Sequence, residues 1–244
     1  MALFSQKIEE RTDLKEGDHI YTWRKRIYSH HGIFIGNDKV IHFVNPKGKG
    51  EGSLSLMPFI FSSSVMQKTP CSKSYCGLEK VPGSGVKLSC IDCFISKGSL
   101  YLFKYQVSLD FLFLKGRGGT CTTAKSDTPQ EVIHRATYLH EKGYGEYDLK
   151  SNNCEDFALY CKTGLWSNNI EYQGRSSQVN MVHPKTKDEN DEGMVGTVLR
   201  MVTAIPRSFS KREDKDLGIR EDVVNVPVEE LSSFRLALKY NSFL

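Results

Sequence analysis

The sequence predicts an α+β fold, an antiparallel sheet with helices packed against it, on three observations. A run of β-formers, His19-Ile20-Tyr21-Thr22-Trp23, follows the turn signal Lys15-Glu16-Gly17-Asp18. Apolar segments flank Gly36-Asn37-Asp38, as in a hairpin. Two capped helix starts come only later, at Thr128 and at Asn152 or Asn153. With 244 residues, 39% apolar and 25% charged, the chain can bury one sizeable core or two small ones, which excludes a wholly disordered or collagen-like protein.

The elements follow in order. Residues 1–13 form an N-terminal segment in which Leu3, Phe4 and Ile8 suit a short amphipathic helix. The main domain is expected over 14–172. It opens with the strand at His19 and the hairpin from Tyr28 to Phe43, whose arms carry Ile33, Phe34 and Ile35, then Val40, Ile41 and Phe43. Between about 45 and 99, glycine, serine and proline multiply, giving a loop-rich insertion with at most short elements. Such a length points to a lid, a binding loop or a metal staple. Leu100 to Val107 reads as a strand. Thr128 then caps a helix with Pro129 in its first position and Glu131 three residues after the cap; it should bury Val132, Ala136 and Leu139 and run to about Lys142, where Gly143 stops it. Tyr144 to Leu149 suits a short extended segment. The second capped helix buries Phe157, Ala158 and Cys161 and ends at Gly164. Residues 173–244 read as a linker and a partly helical C-terminal tail. In it Lys185 to Glu192 is a solvated charge run, and the apolar stripe from Met194 to Ile205 suits a helix on the core or on a membrane surface.

Charge and cysteine content narrow the function. The 33 basic and 29 acidic residues leave +4. Ten bases and 11 acids lie beyond Pro184, so the first 184 residues carry 23 − 18 = +5. That is mild basicity, useful at a membrane surface and far from a nucleic-acid stripe, so no nucleic-acid partner is expected. No window approaches the roughly 18 apolar residues of a spanning helix, and the N-terminus lacks a secretory apolar run. Ala2 stands where N-myristoylation needs glycine, and the final Asn-Ser-Phe-Leu carries no cysteine for prenylation. Seven cysteines without a secretory signal favour reduced thiols. The expected location is cytoplasmic, with any peripheral membrane contact made by surface chemistry.

A nucleophilic cysteine needs a thiolate fraction, a base within reach and access to substrate. Cys154 sits in the first turn of the second helix, where unpaired amides and the helix dipole favour a thiolate, while Glu155 and Asp156 oppose it. The plain alternative is a buried structural cysteine, like Cys161. The hairpin concentrates His30, His31 and His42, offering a base and an imidazole to orient it. A hairpin turning through Asn37-Asp38 alone would set His42 opposite Ile33 and on the face of His31, with His30 three residues, or about 10 Å, away on the other face. Contact between His30 and His42 then requires a bulge or strong coiling near the turn.

His30-His31-Gly32-Ile33-Phe34-Ile35-Gly36, Val40-Ile41-His42 and Asn152-Asn153-Cys154-Glu155-Asp156-Phe157, in this order, resemble the lecithin retinol acyltransferase (LRAT) family over roughly Leu14 to Leu165. The resemblance implies a circularly permuted papain-like domain. It also implies a site in which Cys154 forms an acyl-thioester, His30 is the base and His42, twelve positions on, orients it. Asp156 replaces the histidine that follows Cys-Glu in the animal enzymes and looks like the plant-type branch. The implied activity is a thiol-dependent acyltransferase or phospholipase-type acyl hydrolase acting on a lipid or acyl-thioester substrate, with no metal or organic cofactor in the reaction. A cysteine peptidase or amidase and a non-catalytic interaction protein remain alternatives on the same scaffold, the latter binding protein partners through the insertion or the tail.

Two further motifs stand apart. Cys71-x4-Cys76 and Cys90-x2-Cys93 have spacings that zinc could use, but also suit unpaired structural or surface thiols or a redox role. Gly116-Arg117-Gly118-Gly119-Thr120 reads as a flexible turn, since the lysine and helix start of a phosphate loop are missing.

Overall fold

The computed structural model describes residues 6–24, 28–46, 71–114, 119–149, 151–168 and 216–241. The elements are β1 (Gln6–Lys7), a 3-10 turn (Arg11–Asp13), β2 (His19–Arg24), β3 (Tyr28–Phe34), β4 (Lys39–Phe43), β5 (Val86–Cys90), α1 (Ile91–Ile95), β6 (Leu100–Leu102), α2 (Leu109–Leu114), α3 (Pro129–Lys142), α4 (Cys154–Thr163), β7 (Leu165–Ser167), β8 (Val223–Asn225) and α5 (Leu231–Asn241). Six strands make one antiparallel sheet in the order β1-β6-β2-β3-β4-β5, and β7 pairs with β8 separately. The α+β architecture is as the sequence predicts.

Strand alternation gives the central sheet two apolar faces. Ile33, Ile41, Phe43 and Val86 pack under Val132, Ala136 and Leu139 of α3 and Phe157, Ala158 and Cys161 of α4. Ile20, Phe34, Val40 and Leu100 pack on the other side against Ile91 and Phe94 of α1. Each fully buried side chain of this size contributes roughly 1.5–3 kcal/mol, so α1, only five residues long, is held by Ile91 and Phe94 more than by its own backbone bonds.

The capped helices form where expected. Thr128 and Glu131 make a reciprocal capping box at α3, and Asn153 and Asp156 make another at α4. Gly164 ends α4 in the left-handed conformation at φ 64°. The burial of α4 exceeds the predicted stripe: every residue from Cys154 to Cys161 is buried. The reason lies in the tail, where Val226, Val228 and Leu231 join the core and the Tyr160 hydroxyl donates to the Val226 carbonyl at 2.8 Å.

The hairpin differs from the simple two-residue turn. Gly36, Asn37 and Asp38 all have positive φ, between paired Ile35 and Lys39. At φ 86° Gly36 holds a conformation that L side chains rarely adopt. The third turn residue shifts the register by one, so Ile33 faces Ile41 and Gly32 faces His42. His42 therefore shares a face with His30, not with His31.

Other boundaries also move. Gln6 and Lys7 pair as edge strand β1, Gln6 opposite Leu102, within the stretch Met1 to Arg11 for which the sequence suggests a helix; Leu3 and Phe4 lie outside the described residues. The strand expected from Leu100 to Val107 stops at Leu102, because Lys104 bridges to Cys121 and Gln106 adopts φ 52°. Tyr144 to Leu149 forms no strand; Asp148 bridges to Asn152 instead. Helix α2 was not foreseen; Ser108 Oγ accepts the Phe111 N–H at its start. The charge run Lys185 to Glu192, the stripe from Met194 to Ile205 and Arg117 lie outside the described residues. Among the described residues no helix is long and apolar enough to cross a membrane.

Candidate active site

The site is built around β3, whose alternation sends consecutive histidines to opposite faces. His30 faces α1, with its ring 5.3 Å from that of Phe94. His31 faces the α4 side, stacked 5.4 Å from Tyr21.

On the α1 face a polar chain crosses three strands. His30 Nε2 lies 2.9 Å from His42 Nδ1, and His42 Nε2 lies 2.9 Å from Ser89 Oγ on β5. Close approach here depends on Gly32: a Cβ would stand 2.7 Å from Val40 Cγ1, 2.9 Å from Phe94 Cε2 and 3.1 Å from His42 Cβ. His30 Nδ1 is buried with no hydrogen-bond partner. When Ser89 accepts from His42, His42 accepts from His30 in turn, and His30 Nδ1 is left as a bare lone pair able to take a proton.

On the opposite face a second chain runs through His31. Its Nδ1 is 2.8 Å from His19 Nε2, and His19 Nδ1 is 2.7 Å from the Tyr105 hydroxyl. His31 Nε2 is 2.8 Å from Ser29 Oγ. Both nitrogens of His31 are thus occupied. His19 and Tyr105 were not singled out from sequence; the only trace of their role is a histidine at a position that strand alternation makes inward.

Cys154 opens α4 and reaches the edge of β3. Pairing of β3 with β4 ends at Gly32 and His42, whereas β3 continues to Tyr28 against β2 alone. The backbone polar groups flanking His30 on that open edge meet the sulfur instead: Cys154 Sγ donates to the Ser29 carbonyl at 3.8 Å and accepts the His31 N–H. The loop before α4 is fixed by Asn152, whose amide donates to the Tyr144 and Glu146 carbonyls at 3.3 and 2.7 Å, and by Asn153, which donates to the Leu149 carbonyl at 2.9 Å. Asp156, in the place that carries histidine in the animal enzymes, accepts the Asn153 N–H at 2.9 Å and so closes the capping box.

Electrostatics correct one expectation. The helix start does not produce a resting thiolate: burial, with Glu155 and Asp156 adding to it, pushes the Cys154 thiol up to about 12. Burial also holds His31 and His42 down to about 3, and His19 and His30 well below the ordinary histidine value. The resting site is a neutral thiol among neutral imidazoles.

The four cysteines of the insertion come together. Cys71, Cys76, Cys90 and Cys93 have sulfurs within 4.8 Å of one another, at the end of β5 and the start of α1.

Comparison with known proteins supplies the family. The family pattern described as Lecithin retinol acyltransferase matches residues 12–167. Protein LEAD-SENSITIVE 1 of Arabidopsis thaliana is 38% identical over 243 residues, covering 95% of this chain and 91% of that protein. The motif order at His30, His42 and Cys154 and the similarity along nearly the whole length agree, and the chain belongs to the lecithin retinol acyltransferase family, in its plant-type branch.

Proposed function

We propose that this protein is a thiol-dependent acyl-transfer enzyme acting on lipid acyl esters, on a circularly permuted papain-like domain. Family membership supports acyltransferase-type chemistry. The observation that carries the residue assignment is that, of the ring nitrogens of His19, His30, His31 and His42, only His30 Nδ1 lacks a hydrogen-bond partner, on a histidine whose flanking backbone holds the Cys154 sulfur. His31 is the weaker base, since both its nitrogens are engaged.

In this mechanism the Cys154 thiol gives its proton to His30 as the sulfur attacks the acyl carbonyl carbon, and the carbonyl oxygen takes the displaced electron pair. Collapse of the tetrahedral intermediate breaks the ester bond. The departing alkoxide takes the proton from His30, leaving an acyl-thioester on Cys154. An amine, an alcohol or water then attacks the thioester with His30 as base, and the thiol is restored. His42 holds the His30 ring through the bond to Nε2, and Ser89 holds His42. A neutral pair suits this order of events, because thiol deprotonation accompanies attack and no resting ion pair is required. The setting proposed is cytoplasmic, with peripheral contact to a membrane that supplies the lipid.

Intact-protein mass spectrometry after incubation with phospholipid tests the reading. A mass gain of one acyl group, absent in Cys154→Ala, is expected. A folded wild type that gains no acyl group from any phospholipid or acyl-CoA, yet is labelled by peptide substrates, would assign the thiol to a peptidase or amidase.

One observation favours a second reading, a non-catalytic interaction protein on the same scaffold: Cys154 is only 3% exposed and His30 is fully buried. Preserved biological performance of a folded Cys154→Ala protein would select that reading.

A further inference from the structure

Residues 71–84 raise a question of stability that the apolar core does not answer. None of them is buried, and Leu78 is 41% exposed. Yet the segment holds a defined set of turns, with Cys76 N–H to the Lys73 carbonyl at 3.0 Å and Leu78 bridged to Leu88 of β5. A segment of this kind needs a cross-link where a core is missing.

We propose that Cys71, Cys76, Cys90 and Cys93 bind one structural zinc ion. The sulfurs of Cys71 and Cys76 each lie 3.8 Å from that of Cys90. Four thiolates about 2.3 Å from a tetrahedral zinc ion stand about 3.8 Å from each other, since the edge of a tetrahedron is roughly 1.63 times its centre-to-corner distance. A disulfide would need about 2.05 Å, and none of the four cysteines is in a disulfide. Backbone donors are aimed at the sulfurs: the Cys90 N–H at Cys76 Sγ, 3.3 Å away, and the Lys73 N–H at Cys71. Asp38 and Asp92 also lie within reach of Cys90, but they are paired with Lys73 and Arg11. The all-sulfur set is the soft one that zinc selects.

Four protein ligands leave no open coordination position, so the role is structural and separate from acyl transfer. Its position still matters to the histidines. Cys90 follows Ser89, which holds His42, and Cys93 precedes Phe94, whose ring lies 5.3 Å from His30 and 5.5 Å from His42. The metal fixes the backbone on which two contacts of the histidine pair depend.

The experiment uses the full chain, purified under reducing conditions without a metal-binding tag. Elemental analysis should find one zinc per chain in wild type and in Cys154→Ala, and loss of zinc in Cys71→Ser/Cys93→Ser. Metal-stripped wild type titrated with Co(II) should develop the visible bands of tetrahedral thiolate coordination, saturating at one equivalent, and added zinc should bleach them. Chelation should lower the melting temperature of wild type. A folded wild type that holds no stoichiometric zinc and gives no such bands with cobalt overturns the proposal, whatever the serine variant does. Neither outcome depends on whether the protein transfers acyl groups.

Discussion

Truncating the two neighbouring histidines of β3 separately should dissociate chemistry from stability. His31→Ala removes an imidazole that bonds at 2.8 Å to both His19 and Ser29, and leaves the buried His19 Nε2 without that partner. At ~1–3 kcal/mol for an unsatisfied group, and with each kcal/mol lowering the melting temperature of a chain of this size by about 2–4 °C, a fall of at least about 2 °C is expected. The acylation rate per folded molecule should stay near wild type, because neither nitrogen of His31 is available to the thiol. His30→Ala should show the reverse emphasis. It breaks one hydrogen bond, to His42, and removes the base, which is worth about 10²–10⁴ in rate. Thermal melts monitored by circular dichroism, paired with single-turnover acylation followed by intact mass and normalised to the folded fraction, read both quantities. Full acylation by His30→Ala together with none by folded His31→Ala would reverse the assignment.

Three further outcomes follow from the same contacts. Gly32→Ala places a methyl 2.7 Å from Val40 Cγ1 and 2.9 Å from Phe94 Cε2, both on buried residues; overpacking of this kind costs ~1–3 kcal/mol, and an unchanged melting temperature would show that the α1 face is looser than the contacts imply. Asn153→Ala removes the side-chain acceptor of the Glu155 and Asp156 N–H groups and should destabilise the protein by about 1–2 kcal/mol, with slower acylation because α4 carries Cys154; calorimetry with activity at matched folded fraction checks both. Acid should unfold the protein early. His31 and His42 titrate near 3 in the folded state and near 6.5 when unfolded, so below pH 6.5 the unfolded chain binds more protons; stability is full above pH 6.5 and falls by up to ~1.4 kcal/mol per pH unit for each such histidine as pH drops toward 3. Denaturant melts at pH 7, 6, 5 and 4 that show no slope would mean that these rings are not held neutral by burial.

What the sequence disclosed was what depends on neighbours along the chain. The capping box of Thr128 with Glu131 is legible because the two are three residues apart and their bonds close within one turn; at the second helix the sequence offers a cap at Asn152 or Asn153, while the box that Asp156 closes with Asn153 comes from the structure. The hairpin was legible but its register was not. One extra turn residue decides it, and the longer turn takes positive φ at three successive positions. Strand β1 is too short to carry a pattern, and in β5 the buried ends Val86, Ser89 and Cys90 break the alternation a half-buried strand would show. The His31 chain was illegible for a different reason: Tyr105 is 86 residues from His19 in sequence, and it is the pairing of β2 with β6, just before Tyr105, that brings the two together. The thiol cluster stood between these cases, since its two local spacings are visible in sequence while the meeting of the pairs depends on where β5 ends.

On the proposed reading, the sulfur and the base have to meet without movement of α4, which is pinned at both ends. Asn152 and Asn153 tie its N-terminal approach to the Tyr144–Leu149 loop, and at the other end the Val226 N–H donates to the Gly164 carbonyl at 2.9 Å. The helix cannot readily slide to bring the sulfur to a base. On that reading the thiol proton must turn from the Ser29 carbonyl toward His30 Nδ1, and the His30 ring must tilt to receive it. A thiol is a weak donor and its contact with the carbonyl is long at 3.8 Å, so giving up that bond costs little. The ring is the more constrained partner, held at Nε2 by His42 and covered by Phe94. His42 then acts by limiting how far the acceptor nitrogen wanders, and Ser89→Ala, which frees His42 without touching the thiol or the base, should lower the acylation rate less than His30→Ala does. A Ser89→Ala loss as large as that of His30→Ala, at unchanged stability, would show that the proton path runs through the chain instead of stopping at His30.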